Sequence, residues 1–164
     1  MNLIVAVDDQ WGIGKDGDLL CRISTDLKRF RSITSGNVLV LGRKTLESFP
    51  KKKPLPNREH VLLTKNLEYK AEGVTFCNSI EELPCVLEGF GEKDVFVAGG
   101  GSIYQQLLPY CDKAYVTKIH DTFPADTYFP NLDLLLEWEI VEEGEEQEDN
   151  GVKFSFVLYQ KKSK

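Results

Sequence analysis

Asp94-Val95-Phe96-Val97-Ala98-Gly99-Gly100-Gly101-Ser102-Ile103-Tyr104-Gln105-Gln106-Leu107-Leu108-Pro109 is the stretch whose reading decides the fold. Its first part, Asp94 to Ala98, is a strand whose residues from Val95 on are apolar without polar alternation, as burial on both faces requires. Three glycines then turn the chain, and Ser102 to Leu108 has helical period until Pro109 stops it. A buried strand that passes through a tight turn into a helix is half of a βαβ unit, so a parallel sheet is implied. The same succession recurs upstream. Val38-Leu39-Val40-Leu41-Gly42 runs into a short helix from Arg43 to Phe49, ended by Pro50. Leu3 to Val7 is a further buried strand, followed by a loop with Gly12, Gly14 and Gly17. A helical pattern from Ser24 to Ile33 comes next, with Ser24 as the expected N-cap. His60 to Thr64 and Val74 to Phe76 add two strands, and Ile80 to Leu87 a short helix opened by Asn78 or Ser79. Downstream the character changes. Ala114 to Ile119, Trp138 to Glu142 and Val152 to Tyr159 are strands without long helices between them, and the acidic segment between the last two reads as a solvated loop. The pattern predicts an α/β fold with a central, mostly parallel sheet flanked by helices and finished by an antiparallel C-terminal hairpin. One domain is expected over residues 1–164.

The composition agrees with a folded enzyme-sized unit. The 164 residues are 41% hydrophobic and 28% charged, a globular balance with enough chain for a core without staples. Twenty Lys+Arg against 26 Asp+Glu leave a net charge of -6, and the sequence pI is about 5.0, which disfavours nucleic acid as a partner. No apolar run approaches the ~18 residues of a membrane span. Met1 to Val7 lacks a basic lead-in and breaks at Asp8-Asp9, so it reads as a strand and not a secretory signal; a cytoplasmic protein is expected. Cys21, Cys77, Cys85 and Cys111 are scattered without a CxxC pair, and neither His60 nor His120 has ligand spacing to a cysteine. Free, buried or half-buried thiols are therefore expected in place of a metal site.

In open α/β sheets, ligands bind beyond the carboxyl ends of the parallel strands. Three such ends carry groups suited to phosphate. Gly42-Arg43-Lys44-Thr45 places two cations and a hydroxyl at a helix start, where free N–H groups and the helix dipole favour an anion. Gly99-Gly100-Gly101 lets the backbone approach a bulky anion closely. Thr64-Lys65 adds a hydroxyl and a cation. Taken singly, each has a plainer explanation: a tight turn for the glycines, a solvated surface for the cations. The glycine stretch matches neither G-x-G-x-x-G, since Tyr104 occupies the last glycine's place, nor a phosphate loop, which needs a following Gly-Lys pair. Three such ends in one small domain favour a dinucleotide, and the cluster Arg43, Lys44 and Lys65 favours one with a 2′-phosphate.

A second signal is a carboxylate on an apolar stripe. At about 100° per residue, Ile23, Asp26, Leu27, Phe30, Ile33 and Thr34 share one side of the helix, while Lys28, Arg29, Arg31 and Ser32 fill the other. Asp26 is either an ordinary first-turn acid stabilised by the dipole or a desolvated carboxylate of raised pKa at the floor of an apolar pocket. The second form would pair with a ligand edge that donates two hydrogen bonds.

Together these residues resemble the dihydrofolate reductase family. The motifs that carry the resemblance are Ile4-Val5-Ala6-Val7, Gly12-Ile13-Gly14, Asp26-Leu27-x-x-Phe30, Gly42-Arg43-Lys44-Thr45-x-Glu47-Ser48, Pro54-Leu55-Pro56-Asn57-Arg58, Val97 to Tyr104, Val116-Thr117 and Asp126-Thr127-x-Phe129-Pro130, spread over nearly the whole chain. The resemblance implies NADPH-dependent reduction of 7,8-dihydrofolate, inhibition by antifolates, and a monomer. It implies Asp26 as the catalytic carboxylate, supported by Thr117. Ile4, Val5, Leu27, Phe30, Phe49, Leu55 and Ala98 are implied to line the pterin pocket, and Arg58 to hold the α-carboxylate of the glutamate tail. Ala6, Ile13 and Gly14 are implied to flank the nicotinamide. Arg43, Lys44, Thr45, Thr64, Lys65 and Ser102 are implied around the adenosine phosphates, and Gly100, Gly101, Ile103 and Tyr104 around the pyrophosphate and nicotinamide ribose. Gly42, Gly99 and Thr127 complete the cofactor set. The Gly99–Gly100 peptide is implied to be cis, and the loop from Asp8 to Arg22 to close over the nicotinamide. The chain departs from the family pattern at Leu20-Cys21, where Pro-Trp is usual, and at Ser102, where many relatives carry a cation.

Three other readings compete. A phosphoacceptor receiver domain shares the Asp8-Asp9 pair after the first strand but needs an acid where Thr64-Lys65 stand. An NADPH reductase of a pyrimidine or flavin precursor shares the cofactor half without needing Asp26 and Arg58. A noncatalytic nucleotide-binding module needs only the glycines and cations.

Overall fold

A computed structural model describes residues 1–162. The expected domain ends two residues later, and Ser163 and Lys164 lie outside the described residues. The chain runs through β1 (Asn2–Val7), β2 (Gly12–Lys15), β3 (Asp18–Leu19), α1 (Ser24–Thr34), β4 (Val38–Leu41), α2 (Arg43–Ser48), β5 (Glu59–Leu63), β6 (Thr75–Cys77) and α3 (Leu83–Glu88). It continues through β7 (Val95–Gly99), α4 (Gly101–Leu107), β8 (Lys113–Ile119), β9 (Thr127–Tyr128), β10 (Trp138–Glu143), β11 (Gln147–Asp149) and β12 (Val152–Lys161). The main sheet has the order β10-β12-β8-β1-β7-β4-β5-β6, with β11 also on β12. The six strands from β8 to β6 are parallel, and β12 pairs antiparallel with each of its three partners, β8, β10 and β11. This is the expected α/β sheet with its C-terminal hairpin.

The order of strands creates the site. From β1 the chain moves away to lay down β4, β5 and β6. It then returns to insert β7 between β1 and β4, and crosses to the far side of β1 for β8. The direction of winding reverses around β1, so the loops leaving neighbouring strands part there and leave a crevice. The alternation of side chains along each strand divides the core in two. Leu3, Val5, Val7, Val38, Val40 and Val97 face one layer, and Ile4, Leu39, Leu41 and Phe96 the other, where α1 and α2 cover them.

Four expectations need correction. Ser24 does not cap α1: Ile23 precedes the helix in extended conformation and supplies no side-chain cap. The acceptor comes from the hairpin instead, where Asp149 Oδ2 takes hydrogen bonds from Thr25 N and Thr25 Oγ1, both at 3.1 Å. The acidic segment is accordingly not a free loop. It contains β11, and Glu146 Oε1 lies 2.7 Å from His120 Nδ1, whose Nε2 meets Ser155 Oγ at 3.1 Å. The segment from Asp8 to Arg22 is also more than a loop, since β2 pairs with β3 on one side and β9 on the other in a small second sheet. The helix expected from Ile80 begins later, at Leu83, with Pro84 in its first turn. The cap, the His120–Glu146 contact and the β2–β9 pairing could not be read locally, because each rests on a partner far along the chain. Asp149→Ala should destabilise the protein by about 1 kcal/mol, the usual cost of a lost N-cap. That lowers the midpoint of thermal unfolding by roughly 2–4 °C at this size. An unchanged midpoint would show that the hairpin does not hold α1.

Candidate active site

Two adjoining clefts open at the carboxyl ends of β1, β7 and β4. The inner has a volume of about 170 Å³ and the outer about 800 Å³, and they share Lys44, Gly100, Gly101 and Thr127. Val5, Ala6, Ile13, Gly14, Thr45, Ala98, Gly99 and Tyr104 line the inner cleft. Gly42, Arg43, Thr64, Lys65, Ser102 and Ile103 line the outer one. Every residue expected at the cofactor thus faces one cleft or both. Pairing by register puts Val97 opposite Val40 but Gly99 opposite Leu41, so Ala98 is an extra residue at a bulge that re-aims the strand end.

The glycines test whether a phosphate-rich ligand fits. Gly99 has φ +123°, and its peptide to Gly100 is cis. A Cβ on Gly101 would stand 2.5 Å from Thr127 Cγ2, so only glycine lets α4 start this close to the floor of the clefts. The outer cleft carries Arg43, Lys44 and Lys65 together. Arg43 Nε donates to Glu47 Oε1 at 2.7 Å, and its guanidinium lies 4.8 Å from the Tyr69 ring centroid. An elongated crevice with bare backbone at its waist and three cations at one end fits a dinucleotide phosphorylated at that end.

Asp26 reaches from α1 to β8, where it meets Thr117, the residue paired with the cleft-lining Ala6 of β1. Its Oδ1 accepts from Thr117 Oγ1 at 2.5 Å, as the resemblance implied. Burial raises its pKa above the ordinary carboxylate value; the Thr117 bond and the Arg29 cation oppose that shift without cancelling it. The Arg29 guanidinium packs 4.1 Å from the centroid of Phe156. Tyr104, fully packed, donates from its hydroxyl to Ile4 O at 2.7 Å, and burial pushes its phenol above the usual range. It therefore braces β1 beneath the cleft.

Ile4, Phe30, Phe49, Leu55 and Ala98 belong to one apolar cluster under α1 and α2. Leu27 departs from the expected buried stripe: it is 44% exposed, at the rim. Arg58 is held by the same helix, with Nη1 donating to Thr34 Oγ1 at 3.2 Å and Nε to Pro56 O at 3.0 Å. Asp8, whose position suggested a phosphoacceptor, is spent on backbone: its oxygens accept from Gln10 N, Gly12 N and Phe123 N at 2.8–3.0 Å.

A family model described as dihydrofolate reductase matches residues 1–161. The chain belongs to the dihydrofolate reductase family. A dihydrofolate reductase of Bacillus subtilis (strain 168) is 37% identical over 165 residues, covering 99% of this chain and 95% of the relative. One from Staphylococcus haemolyticus is 38% identical over 165 residues, with 98% and 95% covered. The solved structure of Enterococcus faecalis dihydrofolate reductase, complexed with NADP(H) and RAB-propyl, superposes with a TM-score of 0.84 at 39% identity, covering 99% of this chain and 96% of that one.

Against the usual dihydrofolate reductase pattern, Leu20-Cys21 remain distinctive. Cys21 packs against Ile23, Ile119 and Phe154, and burial, then the charges of Asp121 and Asp26, raise its thiol pKa. Thiolate is thus scarce at neutral pH. Alkylation of Cys21 should be slow, accelerate with rising pH, and be slowed further by NADPH plus a folate analogue. Equal rates in free and ligated protein would place Cys21 away from the site. Among the described residues all four cysteines are free, although Cys85 is exposed and not buried as expected. Sequence reasoning missed Asn78, Ser79 and Gln106, which line the outer cleft. Asn78 and Ser79 follow the end of β6, where the same strand-end rule would have found them. Gln106 is one turn beyond Ser102, to whose Oγ it donates at 2.8 Å.

Proposed function

We propose that this chain reduces 7,8-dihydrofolate to 5,6,7,8-tetrahydrofolate with NADPH, and that the observation carrying the reading is Asp26: a desolvated carboxylate held by Thr117, which pairs with Ala6 at the wall of the inner cleft. NADPH, when bound, supplies the hydride from nicotinamide C4 that the pterin accepts at C6. Ala6, Ile13 and Gly14 hold the nicotinamide end of the inner cleft, with Gly99, Gly100, Gly101, Tyr104, Thr45 and Thr127 along its waist. Gly42, Arg43, Lys44, Thr64, Lys65, Ser102 and Ile103 hold the adenosine phosphates, where Arg43 and its neighbouring cations select the 2′-phosphate. Ile4, Val5, Phe30, Phe49, Leu55 and Ala98 enclose the pterin and exclude water, and Leu27 closes over it from the rim.

Asp26 accepts hydrogen bonds from N3 and the 2-amino group, which orients C6 toward the nicotinamide. Its negative charge favours the protonated form of N5, with the proton delivered from water. Arg58 holds the α-carboxylate of the glutamate tail. The hairpin of β2 and β3 closes the crevice and keeps water from the transfer. Residues 1–164 act as a single, monomeric, cytoplasmic domain. The test is oxidation of NADPH by the purified protein: it should depend on dihydrofolate, proceed one for one, and stop when an antifolate is added. NADPH oxidation that ignores dihydrofolate but follows a pyrimidine or flavin precursor would transfer the chain's activity to that substrate.

A further inference from the structure

A buried histidine that the proposed mechanism leaves unused lies against three of its substrate residues. His60, on β5, is 1% exposed. Its Nε2 accepts a hydrogen bond from Leu55 N at 3.0 Å, and its Nδ1 stands 3.2 Å from Arg58 O. Its ring meets Phe49 edge-on, with centroids 6.1 Å apart at 78°. An acceptor at Nε2 and a carbonyl facing Nδ1 define a neutral ring protonated at Nδ1, because a second proton would leave Leu55 N without its acceptor. The loop from Leu55 to Arg58 turns through a left-handed residue, Asn57 at φ 58°, a conformation asparagine tolerates.

We infer that His60 is a positioning residue for the substrate's carboxylate-bearing tail, clamping the Leu55–Arg58 loop so that the Arg58 guanidinium is aimed before substrate arrives. The clamp continues on the far side of Arg58. Its Nη1 donates to Thr34 Oγ1, which itself donates to Phe30 O at 2.7 Å, so loop, β5 and α1 are joined through one guanidinium. Burial holds the His60 pKa below that of an ordinary histidine. The charged groups facing it are Arg58, which adds to that effect, and Glu59, which opposes it. The neutral clamp is therefore the form present at physiological pH. On acidification the ring gains a proton, the Leu55 bond is lost, and the aim of Arg58 loosens.

The inference rests on the assignment of dihydrofolate as substrate, and its test separates the two. Unmodified enzyme, His60→Ala and His60→Gln are assayed at saturating NADPH with dihydrofolate and with a dihydropterin that lacks the aminobenzoyl-glutamate tail. His60→Ala should raise KM for dihydrofolate roughly tenfold, the scale of one well-placed polar contact. It should leave kcat and the KM of the tailless substrate within about twofold. His60→Gln, whose amide both donates and accepts, should recover most of the loss. In the unmodified enzyme KM for dihydrofolate should climb as pH falls, while in His60→Gln it stays flat; this comparison stands even where the alanine variant fails to fold. Equal rises in KM for both substrates, a fall in kcat alone, or parallel pH profiles in unmodified enzyme and His60→Gln would overturn the positioning role while leaving the reductase assignment intact. Absence of dihydrofolate turnover by the unmodified enzyme would overturn both.

Discussion

Asp26→Asn should slow hydride transfer at neutral pH by roughly 10²–10⁴-fold, the span usual for removing a positioned proton-transfer group. The substitution keeps the shape and leaves an oxygen to accept from Thr117, so NADPH binding and folding should survive. What is lost is the negative charge beside the pterin. N5 is a weak base, and without that charge its protonated form is rarer within the complex. The variant's rate should therefore rise as pH falls, since bulk acid supplies what the carboxylate no longer favours. Stability should move the other way from activity. Asp26 has a folded-state pKa raised above its unfolded value, chiefly by burial. Between those two values the folded protein binds more protons than the unfolded one, so stability is lost as pH rises through this window. Above it the buried charge is a standing cost, and Asp26→Asn removes it. The variant should melt at a higher temperature than the parent at neutral pH and no higher at pH well below the ordinary carboxylate value. Single-turnover hydride transfer as a function of pH, with thermal melts at the same pH values, checks both. Near-parental transfer by Asp26→Asn at neutral pH would reduce Asp26 to a first-turn helix acid.

Arg43→Ala should weaken NADPH by roughly tenfold or more while changing NADH by no more than about twofold, because only the former presents a 2′-phosphate to the guanidinium. The arginine is already restrained, donating to Glu47 and lying over Tyr69, so little of its freedom remains to be lost on binding. The Arg43–Glu47 pair is an exposed pair one helical turn apart, and pairs of this kind add little to stability, so the thermal midpoint should hardly move. Ser102 contributes no cation at α4, which concentrates the selection on Arg43, Lys44 and Lys65. Fluorescence titration with both cofactors separates the possibilities. Equal losses for NADPH and NADH would remove Arg43 from the 2′-phosphate site.

Much of this molecule is determined by short-range pattern. The continuous apolar runs at Leu3 to Val7, Val38 to Leu41 and Val95 to Ala98 fix buried parallel strands, because a strand covered on both faces needs no polar alternation. The breaks after them, at Gly42-Arg43-Lys44-Thr45 and at the three glycines, lie at carboxyl strand ends wherever such a sheet is drawn. The dinucleotide crevice was legible for that reason. Asp26 was legible because a carboxylate on an apolar stripe is costly to bury without a use. Tertiary structure decided what depends on distant partners. Asp149 caps α1 from 124 residues away, where Ser24 had been the local candidate. Arg29 lies over Phe156 because the C-terminal hairpin, and not the helical wheel, supplies its neighbour. His60 carried no recognisable motif at all. Its place between Leu55, Arg58 and Phe49 exists only once β5 is threaded into the sheet, since hydrogen bonds across a loop follow from the path of the backbone and leave no period in the sequence.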